Sequence, residues 1–366
     1  MTDNLRRYFA IQKALKSLRR TEPKGNVARH CNTLALLIAG LIGSQKCHLP
    51  AIARKVPACG KPQSRARRLE RFLANERVDV QTYYLPYVEA LLARLAAHPL
   101  VLVIDGSEIG RNCVLLSINV VYKKRALPLC WQVVKGKKGH LPEQTHIDLV
   151  NQVAAILPHE ATVVFLGDGE FDGTELLATL EQQGWSYVCR TAKNVVLREG
   201  EARFTPTDLL LARGDRLELS AVGFTAADYG PVLVSIVWEE RWTEPLILVS
   251  NLDLLEEAVW WYRRRFRIET FFSDQKSRGF YLGHSHISDT AHLNRLLIGT
   301  CLAYLWMVCL GAWVLQTGQL GLIHRRKRCG WSLFQIGLHW IEHCLNEGLP
   351  IRVQFALSKG PPKSVG

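Results

Sequence analysis

Acidic side chains are in short supply in this sequence: 33 Asp and Glu stand against 46 Lys and Arg in 366 residues, a formal charge of +13. That deficit favours a polyanionic partner. The ten cysteines, at 31, 47, 59, 113, 130, 189, 301, 309, 329 and 344, include no Cys-x-x-Cys pair. The twelve histidines form no ligand-spaced cluster with them, which argues against a structural zinc site. No secretory leader precedes them, so reduced thiols in a cytoplasmic protein are expected. Internal repeats and low-complexity blocks are also absent ahead of the tail, which excludes a solenoid. With 48% hydrophobic residues the chain can bury a sizeable core, and a wholly disordered, collagen-like or coiled-coil chain is ruled out.

Long uncharged runs are rare too. The one that stands out, 296–323, is long enough to span a bilayer. Gly299, Thr300, Gly311, Gln316, Thr317, Gly318 and Gln319 interrupt it, so a buried core helix is the expected role and no membrane partner is expected. The basic residues Arg325, Arg326, Lys327 and Arg328 would suit an inner-leaflet flank in the alternative reading.

The charge is placed unevenly. Residues 1–98 hold 18 basic and 6 acidic side chains, 99–275 hold 18 and 24, and 276–366 hold 10 and 3. Two basic flanks thus bracket an acidic middle. Residues 1–98 read as an all-α N-terminal DNA-binding domain, with proline punctuation at 50, 57 and 62. Within it a short helix, a Gly/Pro turn and a second helix bearing Arg65, Arg67, Arg68 and Arg71 form a helix-turn-helix pattern, and these four are the candidate DNA contacts. A solvated basic helix face is the plainer alternative.

From 99 the texture turns to β-branched runs. A strand ending at Asp105 is followed by a hairpin over 113–134, a helix at 143–156, a strand at 161–166 running into Asp168, a helix to 183 and a strand at 185–190. The order implies an α/β fold with a mixed sheet, begun by a hairpin and continued by crossovers. Residues 192–251 read as a β-rich insertion, with strands at 217–222, 232–239 and 246–249. Residues 252–292 return to the core with one helix from 254 to at least 276, and 293–366 form a helical C-terminal region with a disordered tail.

Asp105 and Asp168 fall at the carboxyl ends of strands, where open α/β sheets place ligands. Paired carboxylates with room for water and phosphate suit Mg²⁺ better than zinc. On a helix of about 100° per residue, with Tyr262 at zero, Arg265, Glu269 and Lys276 fall near 300°, 340° and 320°. Trp261, Ile268 and Phe272 form an apolar stripe beside them, and Arg263, Arg267, Thr270 and Asp274 occupy the opposite face. A glutamate so placed can complete a two-metal cage with Asp105 and Asp168, while Tyr262, Arg265 and Lys276 bind phosphate oxygens. The modest alternative is an ordinary surface Arg265 and Glu269 pair.

Tyr262, Arg265, Glu269 and Lys276 match a Y-x₂-R-x₃-E-x₆-K signature, and with Asp105 and Asp168 the chain resembles DDE transposases of the insertion-sequence-four type over nearly its whole length. The resemblance implies a ribonuclease-H-like catalytic core in two parts, 99–191 and 252–292, interrupted by the insertion. It implies Asp105, Asp168 and Glu269 as catalytic and metal ligands for two Mg²⁺ ions, with Mn²⁺ able to substitute. It implies double-stranded DNA as partner, both terminal inverted repeats and target, with a homodimer forming on DNA. Metal-dependent cleavage and strand transfer would follow, by a hairpin route in the best-known relatives, with Trp238 or Trp242 as candidates to stack on a flipped base. The sequence departs from many relatives at Gly169, where they carry arginine, which concerns one phosphate contact and not the metal cage. The alternatives are a catalytically idle DNA-binding descendant and a nuclease of the same fold without a transfer step.

Overall fold

The computed structural model describes residues 1–17, 22–57, 60–96, 98–325, 329–353, 355 and 357. The tail expected to be disordered and the basic residues 326–328 lie outside them. Six helices come first: α1 (Asp3–Ser17), α2 (Gly25–Ser44), α3 (Leu49–Arg54), α4 (Pro62–Ala74), α5 (Val80–Tyr83) and α6 (Leu85–Leu95). Local chemistry sets their starts. Proline occupies the first turn of α3, α4 and α6, where its missing N–H costs no helical bond. Asp79 caps α5 by accepting from Thr82 N at 2.6 Å.

The sheet begins with β1 (Leu100–Glu108), β2 (Cys113–Tyr122) and β3 (Arg125–Lys135), an antiparallel meander whose β2–β3 turn places Lys123 at a φ of 55°. Helix α7 (Glu143–Ala154) leads to β4 (Val163–Gly167), and α8 (Thr174–Gln182) to β5 (Ser186–Arg190). β4 runs parallel to both β1 and β5. Eight consecutive residues of β1 are buried, as a strand covered on both faces requires.

The segment expected as an insertion holds β6 (Leu197–Glu199), β7 (Ala202–Phe204), β8 (Arg216–Phe224), β9 (Tyr229–Val237) and β10 (Leu246–Ser250). Its strands extend the core sheet, because β10 pairs antiparallel with β5. The result is one ten-stranded sheet in the order β3-β2-β1-β4-β5-β10-β9-β8-β6-β7. β6 and β7 have three residues each, too short for alternation to reveal them in the sequence.

Three helices follow the sheet and a fourth closes the described chain: α9 (Leu255–Tyr262), α10 (Ile268–Lys276), α11 (Thr290–Gln316) and α12 (Leu333–Asn346). α11 carries the long uncharged run and packs against α2, α4, α12 and β3, with 94% of its most apolar window buried. α2 is also long and apolar enough to cross a membrane by length and composition, which does not show as an uncharged run because Arg29 interrupts it. Tyr84 Oη donates to Pro128 O at 2.6 Å and Tyr304 Oη to Ala126 O at 3.2 Å. These two phenols fasten the helices to β3.

α11 and α12 approach closely at two glycines: a Cβ on Gly311 would overlap the Leu333 carbonyl, and one on Gly337 the Met307 carbonyl. Since both obstacles are backbone, Gly337→Ala is expected to destabilise the protein by about 1–3 kcal/mol. Urea denaturation at a fixed temperature reads this, and an unchanged midpoint would show that the helices part without cost.

Candidate active site

The sheet register places the two aspartates side by side. β1 and β4 pair Leu102 with Phe165 and Val103 with Leu166, and continuing that offset by two residues sets Asp105 level with Asp168. β4 and β5 pair Gly167 with Cys189, so the same row continues to Arg190. On β1, Asp105 and Ser107 project from one face because side chains alternate.

Asp105 is buried, at 4% exposure. Its Oδ1 accepts from Gly106 N at 2.7 Å and from Lys138 Nζ at 2.6 Å, and its Oδ2 lies 3.4 Å from Arg265 Nη1. Asp168 Oδ2 is 3.7 Å from the same Arg265 nitrogen and 3.9 Å from Lys138 Nζ. The other guanidinium nitrogen, Nη2, is 3.7 Å from Glu269 Oε1. Arg265 therefore lies among all three carboxylates, and Lys276 Nζ donates to Ser107 Oγ at 3.1 Å. Tyr262 is buried at 3% exposure within the electrostatic reach of Arg265, Arg190 and Asp168.

The single helix expected across 254–276 is interrupted. Between α9 and α10 the backbone tightens into a 3₁₀ turn at Arg265–Arg267, with Arg264 N bonding to Trp261 O and Arg267 N to Arg264 O. Three residues per turn superimpose positions spaced by three, and Tyr262, Arg265 and Ile268 are all buried. The turn thus aims Arg265 inward between an inward tyrosine and an inward isoleucine. Arg264 stays outside, its guanidinium 3.3 Å from the centre of the Trp260 ring.

Asp274, expected on the outward face, is instead buried, with Oδ2 3.1 Å from Arg125 Nη1. The reason is tertiary: α10 packs on β3, while Phe271 beside Asp274 meets Tyr304 of α11 with ring centres 5.3 Å apart. Burial pushes Asp274 up to about 6, against the pull of Arg125 and Arg278.

Burial also raises the pKa of Asp105, opposed by Lys138 and Arg265. For Lys138, burial works against the charge, yet its hydrogen bond to Asp105 and the fields of Asp105, Asp168 and Glu170 raise it overall. The amine therefore stays protonated at neutral pH. Burial lifts Tyr262 to about 12, so at neutral pH it is a neutral phenol, able to donate a hydrogen bond. Glu170, whose amide donates to Asp168 Oδ1 at 3.1 Å, is itself raised by burial and by Asp168.

Other expected residues lie apart. Arg65 is half-buried and donates to Val56 O at 2.7 Å, closing the α3–α4 turn, whereas Arg67, Arg68 and Arg71 are exposed on α4. Trp238 and Trp242 are half-buried around the β9–β10 connection, tied by Trp238 Nε1 to Trp242 O at 3.1 Å. Neither lines the cavity of about 610 Å³ beside Asp168, whose walls include Lys138, Glu170, Arg190 and Lys193. Lys138, Glu170 and Arg190 escaped the sequence reading. Only the Gly136-Lys137-Lys138-Gly139 loop between a strand and a helix hinted at the first.

The donor set fits a hard divalent cation, because Asp105 Oδ2 and Asp168 Oδ2 already converge on one cationic nitrogen of Arg265. Among the described residues no three His, Cys, Asp or Glu side chains close around a metal-sized space, since Glu269 meets the aspartates through Arg265.

An α/β protein with one carboxylate inside β1, a second just past the end of β4, a third on an overlying helix and cations between them is thereby defined. β1 does not end at Asp105 as expected, because residues 106–108 go on pairing with β2. Residues 98–306 match the family model described as the transposase DDE domain, more than half of the chain, and the chain belongs to that family. No curated protein matches the sequence. Among solved structures, a piggyBac transposase synaptic complex with hairpin DNA aligns at 11% identity and a TM-score of 0.43, covering 95% of this chain and 83% of that one. Human ENDOV aligns at 16% identity and a TM-score of 0.27, covering 50% and 85%.

Proposed function

We propose that this chain is the transposase of an insertion sequence, of the insertion-sequence-four type, cutting and rejoining DNA in the bacterial cytoplasm. The observation that carries the reading is the position of Arg265, which brings Asp105, Asp168 and Glu269 around one guanidinium. The strand order β3-β2-β1-β4-β5, antiparallel over the first three and parallel thereafter, supports a ribonuclease-H-like core. The strands of 192–251 are then its extension, and residues 1–98 its DNA-reading part.

Asp105, Asp168 and Glu269 would hold the Mg²⁺ ions, which supply an activated nucleophile and charge neutralisation at the phosphate. Tyr262 donates its phenolic proton to a phosphate oxygen, while Lys276, fixed by Ser107, and Arg265 place positive charge beside the scissile group. Burial of Arg265 keeps its charge strong by excluding water. Joining two element ends calls for a homodimer on DNA, with terminal inverted repeats and target as the two substrates.

Excision from a plasmid carrying this reading frame with its native flanks, in Mg²⁺, tests the reading with Glu269→Gln as the control. Excision lost in the variant is the expected result. Retained binding to the flanks with no cleavage by either protein would instead mark an idle DNA-binding descendant. Cleavage without joining to a second DNA would mark a nuclease.

The exposed arginines of α4 give a separate test. Replacing Arg67, Arg68 or Arg71 by alanine is expected to weaken binding to all DNA sequences and to lower the salt slope by about one for each phosphate no longer neutralised. Arg65→Ala should act on stability instead, because its guanidinium holds the Val56 carbonyl. Slopes unchanged at all three exposed positions would remove α4 from the DNA interface.

A further inference from the structure

We propose that Lys138 is a resident counter-ion of the carboxylate pair, standing where a divalent cation binds and setting how tightly it binds. The inference rests on the reading of Asp105 and Asp168 as metal ligands. Lys138 Nζ bridges them, 2.6 Å from Asp105 Oδ1 and 3.9 Å from Asp168 Oδ2. A divalent cation and an ammonium cannot both stand against the same buried oxygen without strong repulsion, so entry of one expels the other.

The two basic residues at the site differ in their freedom to leave. The Arg265 side chain is 9% exposed and wedged in its 3₁₀ turn, whereas that of Lys138 is 41% exposed. Lys138 also stands between two glycines with left-handed backbone, Gly136 at a φ of 139° and Gly139 at 85°. A Cβ added to either would meet nothing within 4 Å, so the loop is not tightly packed at either glycine. The cavity beside Asp168, which Lys138 itself lines, gives the displaced side chain somewhere to go.

Glu170 ties this loop to the aspartates. Its own amide bonds to Asp168, and the amides of Gly139 and Leu141 face its carboxylate at a geometry looser than a normal hydrogen bond. The loop is therefore lightly held on the site. It can yield to a cation of higher charge while staying attached at its base.

The test uses the full chain with Mn²⁺ as probe, free Mn²⁺ being followed by its electron paramagnetic resonance signal at neutral pH. Lys138→Met is expected to bind Mn²⁺ about tenfold more tightly or better than the wild type, and to melt at a lower temperature without the metal. Lys138→Arg should keep the wild-type affinity to within about threefold, because it keeps the charge. An unchanged or weaker affinity in folded Lys138→Met overturns the proposal. A second measurement needs no variant: in the wild type, saturating Mn²⁺ should speed acetylation of the Lys138 amine, read by peptide mass spectrometry, and an unaltered rate overturns the proposal equally. Wild-type binding that Asp105→Asn abolishes but Lys138→Met leaves alone defeats only the role of Lys138. No Mn²⁺ binding by the wild type, or binding indifferent to Asp105→Asn, defeats the metal reading itself.

Discussion

Asp105→Asn is expected to reduce strand cleavage at least about a thousandfold, equivalent to about 4 kcal/mol of transition-state stabilisation, while the protein stays folded. Asparagine has nearly the same shape, and its oxygen still accepts from Gly106 N, the bond that fixes the side chain within β1. What disappears is one negative charge facing Lys138 and Arg265. Asp168 and Glu269 remain near the guanidinium, so Arg265 is not stranded as a buried, unpaired cation. Loss of activity with a far-ultraviolet spectrum like the wild type's is the expected pair of results, measured on end-labelled DNA. Cleavage retained within tenfold would mean that the acidic row is structural.

The second large effect is expected at Asp274 and Arg125. Removing one partner of a buried ion pair leaves the other charge uncompensated, and Asp274→Ala is expected to destabilise the protein by about 3–5 kcal/mol. The pair also carries a pH signature of definite sign. Asp274 is pushed up to about 6 in the folded protein from an ordinary 3.8. The native state therefore holds a proton that the unfolded chain has released between those two values. Stability from this group rises as pH falls from about 6 towards 4, by about 2 kcal/mol, and the cost of the buried charge is fully present above about 6. Comparing wild type with Asp274→Asn by chemical denaturation across that range isolates the effect from other carboxylates. A difference that is flat with pH, or rises with it, would contradict the assignment.

Much of this arrangement was legible in the sequence because it depends on strand periodicity and strand ends. The hairpin and the crossovers follow from alternation, and Asp168 from a run that stops at an Asp-Gly. The run through Asp105 instead continues as β1 to Glu108, because residues 106–108 pair with β2. Their adjacency needed only β1 and β4 to pair in register. The signature residues converge for a different reason from the one the helical projection supplied: a 3₁₀ turn, not a continuous α-helix, brings Arg265 inward. A projection at constant pitch cannot see a change of pitch. It also cannot see a second wall, and for that reason Asp274 looked outward until β3 and α11 enclosed it. Lys138 lies 33 residues from Asp105 on a loop without periodicity, so its ion pair exists only in the folded chain.

The course of α11 bears on how such a chain can change. This helix lies against both α2 and β3, with Gly299 in close approach to Leu37 and Leu41, so the N-terminal helices and the sheet share one hydrophobic interior. Whatever the N-terminal helices recognise, they are not a detachable reading head. A cassette exchanged between relatives would bring a mismatched partner for α11 and expose its apolar flank. Under the proposed reading of α4 as the DNA-facing helix, recognition is instead open to revision one exposed arginine at a time, with the shared interior left as it is.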